Sequence, residues 1–466
     1  MNKGTTLELT VEKFADRGMS ISRVDGFVVF IPGGVPGDRV RVTIIRAKKN
    51  FGESRVDTIL EPSPLRTTPR CSYFGACGGC KWQHVEYAAQ LDAKLQSVRD
   101  AFRTFPGMAE VPVHPTLGSE ATYFYRNKME FSFSAERWLT SAEIASGEPF
   151  DLNFALGLHA PGHYNKVVDL TECHLQSDLS IRLVNGMRRF ALEHEWAAWH
   201  LRNHAGYLRH LVIRQAHHTG EVMANLVTSY LDETRMAELA TFLQAEFPEV
   251  TTLVNGVHSG VSQTAFGESL HTIYGPGLIH DRIGRHLFEI APNAFFQTNT
   301  AQAERLYEVA RSYARLRKED LVYDLYCGAG TISLFVADDV RHVVGVELIE
   351  QAVENARANA VANEVTNVTF ETGDMLRLFN PAFVKVHGRP DVLIVDPPRA
   401  GMHPKVVKQI ADLKPERLVY VSCNPLTQAR DLEALAEAYV VEEMQPVDLF
   451  PHTYHVENVA RLTARA

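Results

Sequence analysis

The chain has 466 residues and a formal net charge of −9, and at about 100 to 200 residues per domain it is expected to form about three domains. Hydrophobic residues make up 45% of the sequence, but no apolar run approaches the ~18 residues of a membrane helix, which argues against a membrane protein. Six cysteines are too few for a disulfide scaffold in a chain of this length. The start MNKGTTLELT contains no apolar stretch resembling a signal peptide, so we expect a soluble cytoplasmic protein.

The first 70 residues are the basic end, with twelve Lys and Arg against eight Asp and Glu. From Leu7 to Glu61 apolar residues alternate with polar ones, and glycine-rich turns separate the alternating runs. This pattern predicts four or five short strands that close into a small OB-like β-barrel, followed by a linker at EPSPLRTTP. A basic module joined to an acidic body suggests local contact with a polyanion.

The middle of the chain is predicted to be a mixed α+β domain. Between Val85 and Phe105 apolar residues recur every three or four positions, which predicts a helix with one apolar face that docks on the C-terminal domain. Residues 123–285 have mostly the pattern of strands, with a helical stretch near 178–197. We therefore expect a mixed or antiparallel sheet there.

After about Ala291 helices alternate with short apolar strands in LVYDLY, HVVGVEL, VTFETGD, DVLIVDPP and LVYVSCN. This alternation predicts a doubly wound, Rossmann-like parallel sheet with helices on both faces. Ligands of such sheets bind beyond the carboxyl ends of the strands. The unusual residues of the sequence fall at those ends, in the segments 324–330, 347, 374, 396–399 and 422–425.

A nucleoside cofactor is indicated by the first two of these strand ends. Gly328 and Gly330 follow a strand and precede a helix, so that a ligand can approach the backbone closely. Glu347 ends the next strand, where a carboxylate can accept hydrogen bonds from both ribose hydroxyls. A NAD dehydrogenase would show the same features, but Ser333 replaces the third glycine of its motif. We favour S-adenosylmethionine as the cofactor.

Two further strand ends suggest covalent chemistry. Asp396 begins the turn DPPR, and Cys423 lies in SCNP at the end of the next strand. A single cysteine is usually a small buried apolar residue. The position at a strand end, together with a carboxylate at Glu457 that could act as a base, makes Cys423 a candidate nucleophile.

The motifs DLYCGAGTIS, DPPRAG, SCNP and PHTYHVE, in this order, resemble those of the RNA uracil-5-methyltransferase family. YRNKMEFSF is similar to the central domain of that family, and residues 1–62 resemble a TRAM domain, the RNA-binding barrel of many members. The resemblance implies that Cys423 is the nucleophile and Glu457 the base. It also implies cofactor contacts from Gln297, Tyr326, Thr331, Glu347, Asp374 and Asp396, although some members have asparagine at the positions of Thr331 and Asp374.

The chemistry of uracil independently requires a nucleophile and a base. Carbon 5 of uracil is too weak a nucleophile to attack a methyl sulfonium until a thiolate has added to carbon 6. A base must then remove the proton from carbon 5 before the thiol leaves. Because a free thiol is mostly protonated at neutral pH, we expect the pKa of Cys423 to be lowered in the protein.

Four other cysteines have the spacing of a metal site, with Cys71, Cys77 and Cys80 clustered and Cys173 distant. Structural zinc is one interpretation, but three clustered thiols plus one distant thiol suit an iron–sulfur site better. Similar family members carry a 4Fe-4S cluster at this spacing. The resemblance therefore implies such a cluster in this chain as well. The gap between Cys71 and Cys77 argues against a radical S-adenosylmethionine enzyme. Cys327 is interpreted as a packing residue.

The sequence therefore predicts a TRAM-like barrel at 1–62, a central domain with the cysteine cluster at 63–285, and a methyltransferase domain at 286–466. We expect a monomer that methylates carbon 5 of a uridine in 23S ribosomal RNA, with transfer RNA as the alternative substrate. Phosphate contacts are candidates at Arg126, Lys128, Lys48 and Lys49, and solvated surface is the alternative.

Two rival functions remain open at this point. An amino-group methyltransferase would need an aromatic residue where Arg399 stands and would need no nucleophile. A non-enzymatic RNA-binding or redox-sensing protein could retain a methyltransferase fold, but the Cys423 and Glu457 pair argues against it. His84, His174 and His455 lie beside motifs and are assigned no role.

Overall fold

The structure is a computed structural model that describes residues 1–105 and 107–466. Its N-terminal part is a six-stranded sheet, one or two strands more than the sequence predicts. The strands are β1 (Thr6–Thr10), β2 (Lys13–Phe14), β3 (Ser20–Val24), β4 (Phe27–Ile31), β5 (Arg39–Ala47) and β6 (Phe51–Glu61).

The N-terminal sheet has the strand order β1-β5-β6-β4-β3-β2. Its two edge strands, β1 and β2, are joined by residues 11–12 alone, so the sheet must curl until its edges come close. The alternation in β5 buries Val40, Val42 and Ile44 completely on the inner face of the curl.

The segment after this sheet carries the clustered cysteines and leads into α1 (Tyr87–Arg103). The apolar face of α1 buries Val98 and Phe102 in one cluster with residues of the C-terminal sheet. Lys94, fully buried on the same helix, donates a hydrogen bond to the Asp448 carboxylate. This helix is therefore held to the C-terminal part by both apolar packing and a buried ion pair.

The central part is a mixed eight-stranded sheet with helices. Its elements are β7 (Lys128–Ser134), β8 (Arg137–Trp138), α2 (Ser141–Ser146), β9 (Ala155–His159), β10 (Val167–Asp169), α3 (Asp178–Glu193), β11 (Leu208–Gln215), β12 (Val222–Thr228), α4 (Glu233–Glu246), β13 (Thr252–Val257) and β14 (Ser269–Tyr274). The sheet has the order β14-β13-β12-β11-β7-β9-β10-β8, and the helices α3 and α4 pack against its apolar face. Most neighbouring strands are antiparallel, and the pairs β12–β13 and β8–β10 are parallel.

The C-terminal part is a seven-stranded sheet preceded by a two-stranded hairpin. Its elements are β15 (Ile279–Ile283), β16 (His286–Ile290), α5 (Thr300–Ala314), β17 (Leu321–Leu325), α6 (Thr331–Ala337), β18 (His342–Glu347), α7 (Glu350–Ala362), β19 (Val368–Thr372), α8 (Met375–Leu378), α9 (Pro381–His387), β20 (Val392–Val395), α10 (Pro404–Leu413), β21 (Arg417–Ser422), α11 (Pro425–Leu435), β22 (Tyr439–Val447) and β23 (Glu457–Ala464).

This sheet has the order β19-β18-β17-β20-β21-β23-β22, and its first five strands are parallel as predicted. The last two strands are an addition that the sequence pattern did not predict, because β23 runs antiparallel to both β21 and β22. Two apolar clusters, one on each face, form the core. No helix of the described residues is long and apolar enough to span a bilayer.

The hairpin before this sheet spans the position 285/286 at which the sequence suggested a domain boundary. β15 and β16 pair with each other across that position, with Ile283 opposite His286. Ile283 and Phe288 are buried in the same cluster as Val322 of β17. The hairpin therefore packs as part of the C-terminal core, because its inward-facing residues complete one face of that sheet.

Candidate active site

The candidate active site is a cleft beyond the carboxyl ends of the parallel strands. All eight residues predicted to act in catalysis or cofactor binding line it, namely Gln297, Tyr326, Thr331, Glu347, Asp374, Asp396, Cys423 and Glu457. The cleft has a volume of about 1820 Å³, whereas a typical small-molecule pocket has about 300 to 1,000 Å³. It has room for a second ligand beside a nucleoside cofactor.

The turn after β17 leaves its backbone open to the cleft. Gly328 has a φ of +54°, and a side chain built there would meet no atom within 4 Å. Tyr326, just before it, adopts a φ of 67°, which is unusual for a bulky residue. Glycine at 328 thus gives a ligand direct access to the main chain, which fits the close approach expected of a nucleoside cofactor.

Glu347 is fixed by main-chain donors at the end of β18. One of its oxygens accepts hydrogen bonds from the N–H groups of Leu348 and Ile349, at 2.8 and 3.0 Å. The other oxygen accepts a single hydrogen bond from the N–H of Gly328 at 3.2 Å. Since each carboxylate oxygen has two lone pairs, the second oxygen can still accept from a ribose hydroxyl.

The remaining predicted cofactor residues are also held in place. The Asp374 side chain caps α8 by accepting from the N–H of Leu376 at 3.0 Å. Thr331, the first residue of α6, shares a hydrogen bond of 3.1 Å with the Tyr307 hydroxyl. The main-chain carbonyl of Gln297 accepts from the Asn127 amide at 2.8 Å, which ties this segment to the start of β7.

The antiparallel strand β23 brings the two candidate catalytic residues together. Ser422, the last residue of β21, is opposite Asn458 in the register of these strands. Cys423 therefore follows the end of β21 where Glu457 begins β23, and both side chains line the cleft. A glutamate near the C-terminus reaches the carboxyl edge of the sheet because its strand starts there.

Burial raises the pKa of three carboxyl groups in and below this cleft. Glu457 is buried, and burial together with the Asp396 charge raises its pKa to about 8. Burial and the Asp324 charge raise the pKa of Asp396 to about 7. The pKa of Asp324 is also raised to about 7 by burial, although Ser333 donates to its carboxylate at 2.6 Å. Glu457 is thus poised to exchange a proton near neutral pH.

Cys423 does not have the lowered pKa that we expected. Burial and the charges of Glu457 and Asp396 raise the pKa of its thiol to about 11, and the nearby Arg399 opposes this only in part. The expectation is wrong because burial disfavours the charged thiolate, and the charges of the carboxyl groups that could act as bases disfavour it further.

Some residues of the cleft were missed by sequence reasoning. His455, assigned no role, lines the cleft together with Phe266 and Phe295. Ser333, which stands at the third glycine position of the dinucleotide-binding motif, donates a hydrogen bond to the buried Asp324 carboxylate. His455 lies within a quoted motif and could have been found there, whereas no pattern marks Phe266, which belongs to the central part of the chain.

The four candidate metal ligands line a second, small cavity with mainly apolar neighbours; they are Cys71, Cys77, Cys80 and Cys173. The Gln83 amide donates to Cys80 Sγ at 3.2 Å, and the Gly79 N–H donates to Cys77 Sγ at 3.4 Å. Within residues 1–105 and 107–466, however, no group of three or more His, Cys, Asp or Glu side chains is arranged to hold a metal ion. The metal site therefore stays a prediction.

The candidate phosphate contacts differ in their surroundings. Arg126 lines the cleft, whereas Lys128 forms an ion pair with Glu130 at 2.5 Å. Lys48 lies 5.3 Å from the centre of the Phe51 ring, and Lys49 is exposed on the same turn.

Cys327 is buried in the turn after β17, and its pKa is raised well above the usual value by burial.

Comparison with known proteins places these features in a family. A profile of tRNA (uracil-5-)-methyltransferases matches residues 279–465, starting at the hairpin β15, and a TRAM domain profile matches residues 2–56. An RNA methyltransferase of Bacteroides thetaiotaomicron, described as uncharacterized, is 43% identical over 97% of this chain and 100% of its own length. One from Chlorobaculum tepidum is 41% identical over 98% and 96% of the two chains.

A solved structure matches over the whole length as well. The crystal structure of Pyrococcus abyssi tRNA (uracil-54, C5)-methyltransferase in complex with S-adenosyl-L-homocysteine has 29% sequence identity and a TM-score of 0.76. The match covers 98% of this chain and 100% of that chain. The likeness therefore includes the N-terminal, central and C-terminal parts.

Proposed function

Because the chain belongs to the RNA uracil-5-methyltransferase family and is an RNA (uracil-5-)-methyltransferase, we propose that it acts through a covalent bond between Cys423 and the target uracil. The observation that carries the proposal is the pairing of β21 with β23, which brings Cys423 and the buried Glu457 into one cleft. The TRAM domain at 2–56 and the family assignment make RNA the substrate.

S-adenosylmethionine is the methyl donor of this enzyme class, and when bound it supplies a methyl group on a positively charged sulfur. The open main chain at Gly328 and the free lone pair of Glu347 fit a ribose and its base at this end of the cleft. Thr331, Asp374, Gln297, Tyr326 and Asp396 complete the proposed cofactor site around them.

The protein residues act on the uracil in a defined order. Cys423 loses its proton to solvent, and its sulfur bonds to carbon 6, so that the electron pair of the C5–C6 double bond moves to carbon 5 and makes it nucleophilic. After carbon 5 has gained a methyl group, the Glu457 carboxylate removes the proton that carbon 5 still carries. The double bond re-forms, the bond from carbon 6 to Cys423 breaks, and 5-methyluridine is released.

We propose 23S ribosomal RNA as the substrate, with transfer RNA as the second candidate. The second candidate is favoured by the neighbouring Pyrococcus abyssi structure, whose protein is a transfer RNA enzyme of 29% identity. Specificity for one uridine depends on RNA shape and on which bases are unstacked, so the substrate must be identified by experiment.

The deciding experiment is mass spectrometry of nucleosides from both RNA classes of a strain that lacks the gene. Loss of one 5-methyluridine from 23S ribosomal RNA, restored by the intact gene and not by a Cys423→Ala variant, is the expected result. Loss from transfer RNA alone would replace our first candidate with the second. Unchanged 5-methyluridine in both classes would refute the proposed function.

We also propose that Cys71, Cys77, Cys80 and Cys173 hold a 4Fe-4S cluster. Support comes from their position around one small apolar cavity and from the hydrogen bonds that Gln83 and Gly79 donate to two of the sulfurs. In such a cluster each thiolate binds a different iron, so the four sulfurs lie farther apart than around one ion. The lack of a single-ion site among the described residues is therefore compatible with such a cluster.

A further inference from the structure

The loop that joins β13 to β14, residues 258–268, carries an aromatic ring into the catalytic cleft. The ring belongs to Phe266, which is 55% exposed and lines the same cleft as Cys423 and Glu457. Leu270, at the start of β14, extends this apolar surface. Exposed apolar surface at the mouth of a functional cleft commonly marks a binding site.

The loop is anchored at several points. Buried Arg209 donates hydrogen bonds to the carbonyls of His258, Gly260 and Ser262, at 3.0, 2.5 and 2.6 Å. At its far end, the Asn293 amide donates to the carbonyl of Gly267, the residue after Phe266, at 2.9 Å. The ring is thus presented to the cleft by a fixed main chain, which lowers the entropic cost of binding a flat partner.

The reaction determines which partner this ring meets. Cys423 is partly buried, so a uridine can bring carbon 6 to its sulfur only after leaving the stack of neighbouring bases. The bases beside the extruded uridine lose a stacking partner and enter the outer part of the same cleft. An exposed aromatic ring there can replace the lost partner without reading the base sequence.

A second exposed ring, Phe295, also lines the cleft, but it lies two residues before Gln297 in the segment proposed to contact the cofactor. Changing Phe295 would therefore disturb the cofactor site as well. Phe266 lies in a loop between two strands of the central sheet, outside the elements that carry the predicted catalytic and cofactor residues. Its contribution can be measured separately.

We propose that Phe266 is a stacking platform for an RNA base that neighbours the target uridine. The inference rests on the proposed function and adds a residue of the central part of the chain that holds the RNA in the cleft. Base stacking on an aromatic side chain contributes about 1 to 3 kcal/mol, which corresponds to about a 5- to 150-fold change in affinity.

The test uses the full-length enzyme and total RNA from a strain that lacks the gene, with radiolabelled methyl donor. In Phe266→Ala we expect KM for RNA to rise about 5- to 150-fold and kcat to change less than about twofold. Phe266→Tyr should restore KM to within about threefold of the unmutated enzyme because it keeps the ring. The control is Tyr164→Ala, which removes an aromatic residue that is 77% exposed and is not part of the cleft, and which should leave KM unchanged.

A second measurement separates stacking from charge and from damage to the fold. Stacking releases no counterions, so the slope of log KM against log salt should be the same in Phe266→Ala as in the unmutated enzyme. A Phe266→Leu variant keeps apolar bulk without a ring, and we expect it to behave like Phe266→Ala. In an RNA fragment around the methylated position, 2-aminopurine at one neighbouring position should fluoresce less when bound to the unmutated enzyme than when bound to Phe266→Ala.

Each alternative result has a distinct meaning. The stacking role would be overturned by an unchanged KM in Phe266→Ala, by a full recovery of KM in Phe266→Leu, or by an altered salt slope. In each of these cases the proposed function still stands, provided that the unmutated enzyme methylates RNA. If the unmutated enzyme methylates no RNA, the proposed function itself fails.

Discussion

The catalytic cleft and the small cavity lined by Cys71, Cys77, Cys80 and Cys173 both contain cysteines, but the residues around these cysteines differ. Cys423 lies in a wide cleft beside Glu457 and Asp396, whereas Cys77 lies in a small cavity beside three other cysteines. Burial raises the pKa in both places, to about 11 for Cys423 and to about 12 for Cys77. The direction of the pKa shift thus does not distinguish a nucleophilic cysteine from a metal-binding one. The neighbouring residues do distinguish them, because carboxylates can accept protons and clustered thiols can bind one cofactor together.

The largest expected effect is that of Cys423→Ala. Without a thiol no bond to carbon 6 can form, so methyl transfer should fall by about 10⁴-fold or more. RNA binding should persist, and RNA containing 5-fluorouridine, which traps the unmutated enzyme because fluorine cannot leave as a proton, should form no adduct. Gel migration under denaturing conditions measures the adduct.

Cys327→Ala is the matched control for this prediction. Cys327 is buried in the same cleft wall, and burial raises its pKa well above the usual value, so it should stay a protonated packing residue. Its variant should still form the adduct. An adduct in Cys423→Ala that disappears in the double variant would make Cys327 the nucleophile instead.

Glu457→Gln should separate the two halves of the reaction. Addition by Cys423 and methyl transfer remain possible, but nothing removes the proton from carbon 5, so turnover should fall by about 10²- to 10⁴-fold. A methylated protein–RNA complex should accumulate and migrate slowly on a denaturing gel. Free methylated RNA without such a complex would show that another group is the base.

The pH profile tests the electrostatics of the cleft. The pKa of Glu457 is raised to about 8, so at lower pH it is mostly protonated and cannot act as a base. We expect kcat/KM to rise by at least about tenfold per pH unit between 6 and 8. Above pH 8 it should rise less steeply, because only the Cys423 thiol still has to deprotonate. A flat profile from pH 6 to 9 would contradict these assignments.

The sequence predicted the parallel half of the C-terminal sheet well for a physical reason. Parallel strands are buried on both faces, so β17, β20 and β21 are buried along their whole length and mostly apolar, and the functional residues follow directly at their ends. Asp396 and Cys423 could therefore be placed at one edge of the sheet from the sequence alone.

What the sequence did not predict depends on contacts distant along the chain. The pairing of β23 with β21 and β22 is set by packing, and without it Glu457 could be assigned only through a motif. The hairpin β15–β16 alternates apolar and polar residues like any half-buried strand pair, so its attachment to the C-terminal core was not visible. The raised pKa of Cys423 likewise follows from neighbours that come together only in the fold.

Cys77→Ser tests the proposed cluster in the cavity lined by the four cysteines. Anaerobically purified protein should be brown, and this variant should lose the colour and unfold at a lower temperature, because one of four cluster ligands is missing. Methyl transfer per folded molecule should fall by less than about tenfold, since an all-cysteine cluster has no open coordination site for substrate. Colourless unmutated protein with stoichiometric zinc would contradict the cluster.

The smallest effect should be seen in the alkylation of Cys423 by iodoacetamide, followed by mass spectrometry of its peptide. Burial and the charge of Glu457 raise the pKa of Cys423, and Glu457 itself ionises with a pKa of about 8. At pH 9 Glu457→Gln removes that negative charge, so the thiolate fraction and the alkylation rate should increase about two- to fourfold. At pH 6.5 Glu457 is protonated in the unmutated enzyme, and the two rates should agree. Cys327, a buried cysteine outside the proposed cluster whose raised pKa has no contribution from Glu457, should show no difference at either pH. An equal increase at Cys327 would indicate a general loosening of the fold, and no increase at Cys423 would mean that the two side chains do not interact electrostatically.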